Sequence, residues 1–181
     1  MIELGVADPI RWWARLTPDK AVIVDRVAHR RLSYAELNDD ADRWAVLLAA
    51  RNVGAGDRVA VLSGNRPEVV ALFYGCARVG AALVPLNWRL SAVELGRVLD
   101  DAKVSLIVGE DRFAMVRHEL AAPAPWLDLD SEVPAALTTA VEPTIYIEIA
   151  DAVEAPAMIL YTSGSTGQPK GAADMLTTKL D

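Results

Sequence analysis

Short apolar runs, spaced by stretches long enough to be helices, constrain this chain more than any other feature. Residues 21–24 read Ala-Val-Ile-Val, 58–62 Arg-Val-Ala-Val-Leu, 82–86 Ala-Leu-Val-Pro-Leu and 104–109 Val-Ser-Leu-Ile-Val-Gly. Each has the length and β-branched content of a buried strand. Parallel neighbours in a sheet need a long crossover, usually a helix that covers the sheet face. The expected fold class is therefore α/β, a layered sheet with flanking helices.

The intervening segments carry helix signals. Asp8 followed by Pro9 reads as a cap and first turn for a helix bearing Ile10, Trp13, Ala14 and Leu16. Ser33 and Glu36 form a capping box, after which Leu37, Ala41, Trp44 and Leu48 share one face at helical spacing. Residues 52–57, Asn-Val-Gly-Ala-Gly-Asp, stop that helix, and 63–67, Ser-Gly-Asn-Arg-Pro, turn into the next one, which carries Cys76. Ser91 and Glu94 make a second capping box. From about 121 to 156 the pattern weakens into a loose connection, with 126–129 and 144–147 as candidate short strands. Nothing repeats at a solenoid period, so one domain is the simplest account.

Composition excludes several function classes. With 52% hydrophobic residues the chain can build a core, and a net charge of −7 without a long basic run argues against nucleic acid or an acidic membrane as partner. Cys76 lies among apolar residues and reads as a buried, inert thiol; His29 and His118 sit far apart beside arginines and read as surface residues, leaving no metal site. No secretory leader opens the chain, so a cytoplasmic location is expected. The apolar window 69–88 is broken by Gly75, Arg78, Gly80, Pro85 and Asn87, which suits a buried helix running into a buried strand and not a transmembrane segment.

The chemistry concentrates at 160–171, Leu-Tyr-Thr-Ser-Gly-Ser-Thr-Gly-Gln-Pro-Lys-Gly, directly after the apolar 157–160. Glycines let successive backbone N–H groups converge on an anion, hydroxyls of Thr162, Ser163, Ser165 and Thr166 add donors, and Lys170 brings a point charge. The spacing differs from the Walker loop, because Gln168 and Pro169 separate Gly167 from Lys170. The same composition would also suit a flexible linker; the strand-like run before it and the lysine at its end favour a phosphate loop.

This run resembles the signature of the adenylate-forming (AMP-binding) superfamily, which includes acyl-CoA synthetases, luciferases and nonribosomal adenylation domains. The resemblance extends to 32–37, Leu-Ser-Tyr-Ala-Glu-Leu; 56–60, Gly-Asp-Arg-Val-Ala; 65–68, Asn-Arg-Pro-Glu; and 80–87, Gly-Ala-Ala-Leu-Val-Pro-Leu-Asn. It implies the N-terminal part of a fatty acyl-CoA synthetase, with 85–90, Pro-Leu-Asn-Trp-Arg-Leu, closer to fatty acyl ligases than to amino-acid-activating domains. In such enzymes a carboxylate attacks the α-phosphate of ATP-Mg to give an acyl-adenylate, and the thiol of CoA then displaces AMP. By resemblance, Thr162, Ser163, Gly164, Ser165, Thr166, Gly167 and Lys170 bind the β- and γ-phosphates, and none is a general base.

The resemblance implies a domain division: 1–171 as the N-terminal part of the AMP-binding domain, 172–181 as an atypical tail without the family's usual histidine, and no C-terminal domain. Missing with it are the magnesium and ribose motifs, the acid pocket and the catalytic lysine. The 181 residues are accordingly expected not to catalyse alone, and to be poorly soluble. The expected partners are small molecules, namely ATP, a carboxylic acid and CoA. Two other readings stay open: another adenylate-forming member that activates amino or aryl acids, and a non-catalytic nucleotide-binding or interaction remnant.

Overall fold

The structure is a computed structural model that describes residues 8–120, 124–134, 156–163 and 169–174. Asp8 caps α1 (Pro9–Leu16), its side chain accepting from the Arg11 amide at 3.1 Å. A hairpin of β1 (Ala21–Asp25) and β2 (Arg30–Ser33) follows, then α2 (Tyr34–Ala49), β3 (Arg58–Leu62), α3 (Pro67–Arg78), β4 (Ala82–Pro85), α4 (Ala92–Ala102) and β5 (Leu106–Gly109). A 3-10 turn (Asp111–Phe113), α5 (Ala114–Glu119), β6 (Trp126–Asp128), β7 (Met158–Ser163) and β8 (Pro169–Asp174) complete the described elements. The strands form a six-stranded sheet ordered β6-β5-β3-β4-β7-β8 beside the separate β1-β2 pair. Every pairing in the large sheet is parallel except the antiparallel β7-β8 hairpin.

Period-two alternation along the strands builds two cores. Val59, Val61, Leu83, Leu106 and Val108 face α1, α2 and α3, where they meet Leu37, Trp44, Leu48, Leu72 and Cys76. Ala60, Leu62, Val84 and Ile107 face the other way, toward Leu95, Val98 and Leu99 of α4 and Leu120. The result is a sheet between two helical layers, as the sequence pattern predicts. Both capping boxes form: Ser33 accepts from the Glu36 amide while Glu36 accepts from the Ser33 amide at 2.7 Å, and Ser91 and Glu94 repeat the arrangement at 2.8 Å.

One assignment made from the sequence changes. The strand at 21–24 is not part of the parallel sheet. Asp25 Oδ1 accepts from the amides of Val27 and Ala28 at 2.8 and 2.9 Å, and His29 takes a φ of 50°, so the chain reverses at once into an antiparallel hairpin. No crossover helix fits between those strands. The candidate strand at 126–129 does form: Trp126, Leu127 and Asp128 pair in parallel with Ile107, Val108 and Gly109, extending the sheet past β5. The candidate strand at 144–147 lies outside the described residues.

The helix pair α2 and α3 packs with little room to spare. A Cβ on Gly75 would stand 2.4 Å from Trp44 Cβ, closer than any tolerable contact, so the small residue sets the approach of the two helices. Arg78, read from the sequence only as a residue interrupting an apolar window, is buried at the end of α3. Its guanidinium reaches Asp8 Oδ2 at 2.7 Å, Asp42 Oδ1 at 2.9 Å, and the main-chain and side-chain oxygens of Asn38 at 2.8 and 2.9 Å. One cation thereby ties the cap of α1 to α2 and α3. Among the described residues, no helix is long and apolar enough to cross a membrane.

Candidate functional site

In sheets of this kind, ligands bind beyond the carboxyl ends of the parallel strands. Five strands end on that side here: β3 at Leu62, β4 at Pro85, β5 at Gly109, β6 at Asp128 and β7 at Ser163. Strand β7 carries Thr162 and Ser163 to its end, and β8 returns from Pro169. Thr162 stands opposite Lys170 and Ser163 opposite Pro169 across the hairpin. Of the seven residues assigned to phosphate binding, the structure thus brings Thr162, Ser163 and Lys170 together by register. Gly164, Ser165, Thr166 and Gly167 lie outside the described residues.

The hairpin joins the sheet at its base. The Leu83 amide donates to the Ala157 carbonyl at 2.9 Å, and Leu83 opposite Met158 is the registered pair between β4 and β7. Farther along β7, Ile159 and Tyr161 pack against the core beneath α4. The Tyr161 hydroxyl donates to Asp101 Oδ2 at 2.6 Å, a contact that sequence reasoning missed because sixty positions separate the partners. Burial, and then the Asp101 carboxylate, push the phenol up to about 12.

The strand order reverses between β3 and β5, the usual crevice for a ligand in an open α/β sheet. Here the protein's own groups meet in it. Glu110 Oε1 accepts from the Gly64 amide at 2.6 Å and from Ser63 Oγ at 2.5 Å, and its other oxygen is 2.7 Å from Arg112 Nε. Arg66 reaches Asp130 at 2.5 Å and Glu68 at 3.3 Å, and Arg30 reaches Glu68 at 2.6 Å. The Arg66 guanidinium beside Asp130 holds that carboxyl below the ordinary aspartate range. Arg66 and Glu68, which the sequence marks only as part of a motif, join a network of paired charges that braces this end of the sheet. The signature hairpin, two strands away, is where unusual loop chemistry remains.

The donor set of residues 162–170 consists of backbone N–H groups, hydroxyls and one ammonium, which suits phosphate oxygens. A divalent cation needs oxygen ligands, and no group of three His, Cys, Asp or Glu side chains converges among the described residues. Cys76 is fully buried in the α3 core, where burial pushes its thiol well above the usual range, while His29 and His118 are exposed.

Comparison with known proteins places these observations. The model of the AMP-binding enzyme family matches residues 10–178. The long-chain-fatty-acid–CoA ligase FadD13 of Mycobacterium tuberculosis is 34% identical over 170 residues, covering 90% of this chain and 33% of that protein. A feruloyl-CoA synthase of Amycolatopsis is 36% identical over 170 residues, covering 91% of this chain and 31% of that protein. The inhibitor-bound N-terminal domain of FACL13 from M. tuberculosis superposes with a TM-score of 0.81 at 32% identity, covering 97% of this chain and 44% of that one. The chain spans about a third of the length of the curated relatives it matches.

Proposed function

This chain belongs to the AMP-binding enzyme family, and from that premise we propose that it is the phosphate-gripping N-terminal part of an AMP-forming acid–thiol ligase. The observation that carries the reading is the hairpin at the carboxyl end of the parallel sheet, with Thr162 registered opposite Lys170 around the glycine- and hydroxyl-rich 163–169. ATP is the proposed nucleotide, a carboxylic acid the second substrate and CoA the thiol acceptor. When ATP is bound, attack of the acid's carboxylate oxygen on the α-phosphorus expels pyrophosphate. The residues of this chain then act on the leaving group: Thr162, Ser163, Ser165 and Thr166 hydroxyls, the amides of Gly164 and Gly167, and the Lys170 ammonium stabilise its growing charge. Magnesium belongs to the same proposal.

The acid is proposed to be a fatty acid, as the name of the FadD13 relative states for that protein. A feruloyl-CoA synthase of similar identity makes an aryl acid the alternative outcome. We further propose that the 181 residues bind ATP without catalysing, and that the protein is cytoplasmic.

Three measurements test this. ATP binding to the purified chain is expected by titration calorimetry and is lost in the Lys170→Ala, Thr166→Val double variant; absence of binding by the parent removes the nucleotide site. Acid-dependent ATP–pyrophosphate exchange is expected to be nil for the chain. Exchange by the chain alone overturns the non-catalytic half of the proposal. The polypeptide carrying this sequence in its native cell is then assayed with octanoate, palmitate and ferulate, and preference for ferulate overturns the fatty-acid assignment.

A further inference from the structure

The signature hairpin has an unusual attachment. Among the described residues, the registered pair between β7 and β4 is Met158 with Leu83 at the hairpin's base, and the residues beyond it are registered with β8. A two-stranded ribbon is marginal alone and depends on packing from its neighbours. The outer half of this one also has a contact from the side. Tyr161 lies three residues past the base, and its hydroxyl donates to Asp101 Oδ2, on the last turn of α4, at 2.6 Å. On β8, opposite Tyr161, stands Gly171, where a Cβ would come within 3.1 Å of Tyr161 Cζ and 3.3 Å of Ile159 Cγ2. The small residue leaves the phenol its place over the core beneath α4.

We propose that Tyr161 and Asp101 are a positioning pair for the phosphate-binding hairpin. The phenol–carboxylate bond holds the strand ends at Thr162 and Lys170 in place, while neither partner touches the nucleotide. The inference rests on the reading of the hairpin as a phosphate grip, and it deepens that reading by naming what aims it. A hydroxyl donating to an ionised carboxylate at this distance is among the stronger hydrogen bonds a surface can hold. Asp101 and Arg58 are the charged groups that bear on the phenol, the first opposing and the second favouring its ionisation.

Hydrogen exchange and ATP titration on the 181-residue chain test the pair with Tyr161→Phe, Asp101→Ala, their double variant and Asp101→Asn. Phe keeps the ring packing and removes the donor; Asn keeps an oxygen acceptor. Backbone amides of 160–163 and 170–174 are expected to lose about tenfold in protection in Tyr161→Phe and Asp101→Ala, the scale of one hydrogen bond to a charged group. Amides of β3 and β5 should not change. The double variant is expected to lose no more than either single one, and Asp101→Asn to recover most of the protection. ATP affinity should fall in parallel. In an alkaline absorbance titration, the Tyr161 phenol, absent in Tyr161→Phe, is expected to move down from about 12 in Asp101→Ala.

Unchanged exchange in β7 and β8 in both single variants overturns the pair, whatever ATP does. Altered exchange with no ATP binding by the parent leaves the tether standing and removes the nucleotide reading. Altered exchange with unaltered ATP affinity overturns the positioning role.

Discussion

Replacing Arg78 by methionine removes a charge while keeping most of the buried stem. The guanidinium is 4% exposed, and it is the close cationic partner of Asp8, whose carboxylate side chain is 8% exposed. It also supplies donors to the Asn38 carbonyl and the Asn38 side-chain oxygen. Breaking a buried pair from one side costs about 3–5 kcal/mol, because the remaining charge is left without a partner. Asp8 keeps only the more distant Arg11 Nε at 4.0 Å, Asp42 keeps Arg11 at 2.9 Å, and methionine fills part of the space, so the lower end applies, about 3 kcal/mol. That is a large share of the roughly 5–15 kcal/mol by which a domain is stable. The loss should be uneven: α1 has only eight residues, Ile10 is its buried residue, and Trp12, Trp13 and Leu16 are exposed. A helix that short does not stand alone in water, so releasing Asp8 should detach it first. Urea unfolding followed by tryptophan fluorescence measures the total, and hydrogen exchange at residues 9–16 measures the local part. The Asp8→Asn, Arg78→Met double variant should cost less than the sum of the singles, because no carboxylate is then stranded. A loss for Arg78→Met below about 1 kcal/mol, the worth of an ordinary hydrogen bond, would refute the argument.

Other perturbations probe independent parts of the structure. Gly75→Val drives a branched side chain into Trp44 Cβ and is expected to cost at least about 1–3 kcal/mol by overpacking, read as a lower urea midpoint. Cys76, buried in the α3 core, should resist an aromatic disulfide reagent in the native chain and react at once in urea; fast native labelling would contradict its placement. Glu94 is held below its ordinary 4.5 by the Ser91 amide and then the Ser91 hydroxyl. A depressed folded value stabilises above the unfolded value and ceases to do so as pH falls through the folded one. The stability gap between parent and Glu94→Ala should therefore be full above pH 4.5, narrow below it and lose this contribution in stronger acid. A gap independent of pH would show that the carboxylate is not the cap.

Much of this fold is written locally. A capping box joins residues three apart, so Ser33 with Glu36 and Ser91 with Glu94 mark helix starts wherever the rest of the chain goes. The division of β3 between two cores follows from the pleat, which sends Val59 and Val61 to one face and Ala60 and Leu62 to the other. The run from 160 to 171 joins a strand to donor-rich residues within one stretch, so the proposal made for it needs no distant partner. Tertiary structure decided what depends on distant chain segments meeting. The three-residue strand β6 falls within the candidate strand at 126–129, but its place beside the edge of β5 follows only from the fold. Arg78 looked like a break in an apolar window; its meaning came from Asp8, Asn38 and Asp42, brought to it by the packing of α1 and α2 on α3. Glu110 fills the crevice at the strand-order reversal because Ser63 and Gly64 end the neighbouring strand. Tyr161 and Asp101 meet only because β7 lies next to β4 in the sheet, beneath α4. Caps, turns and periodicity are satisfied by neighbours a few residues away and so can be read in order, whereas a buried charge or a tethering hydroxyl takes its partner from whichever element the fold lays beside it.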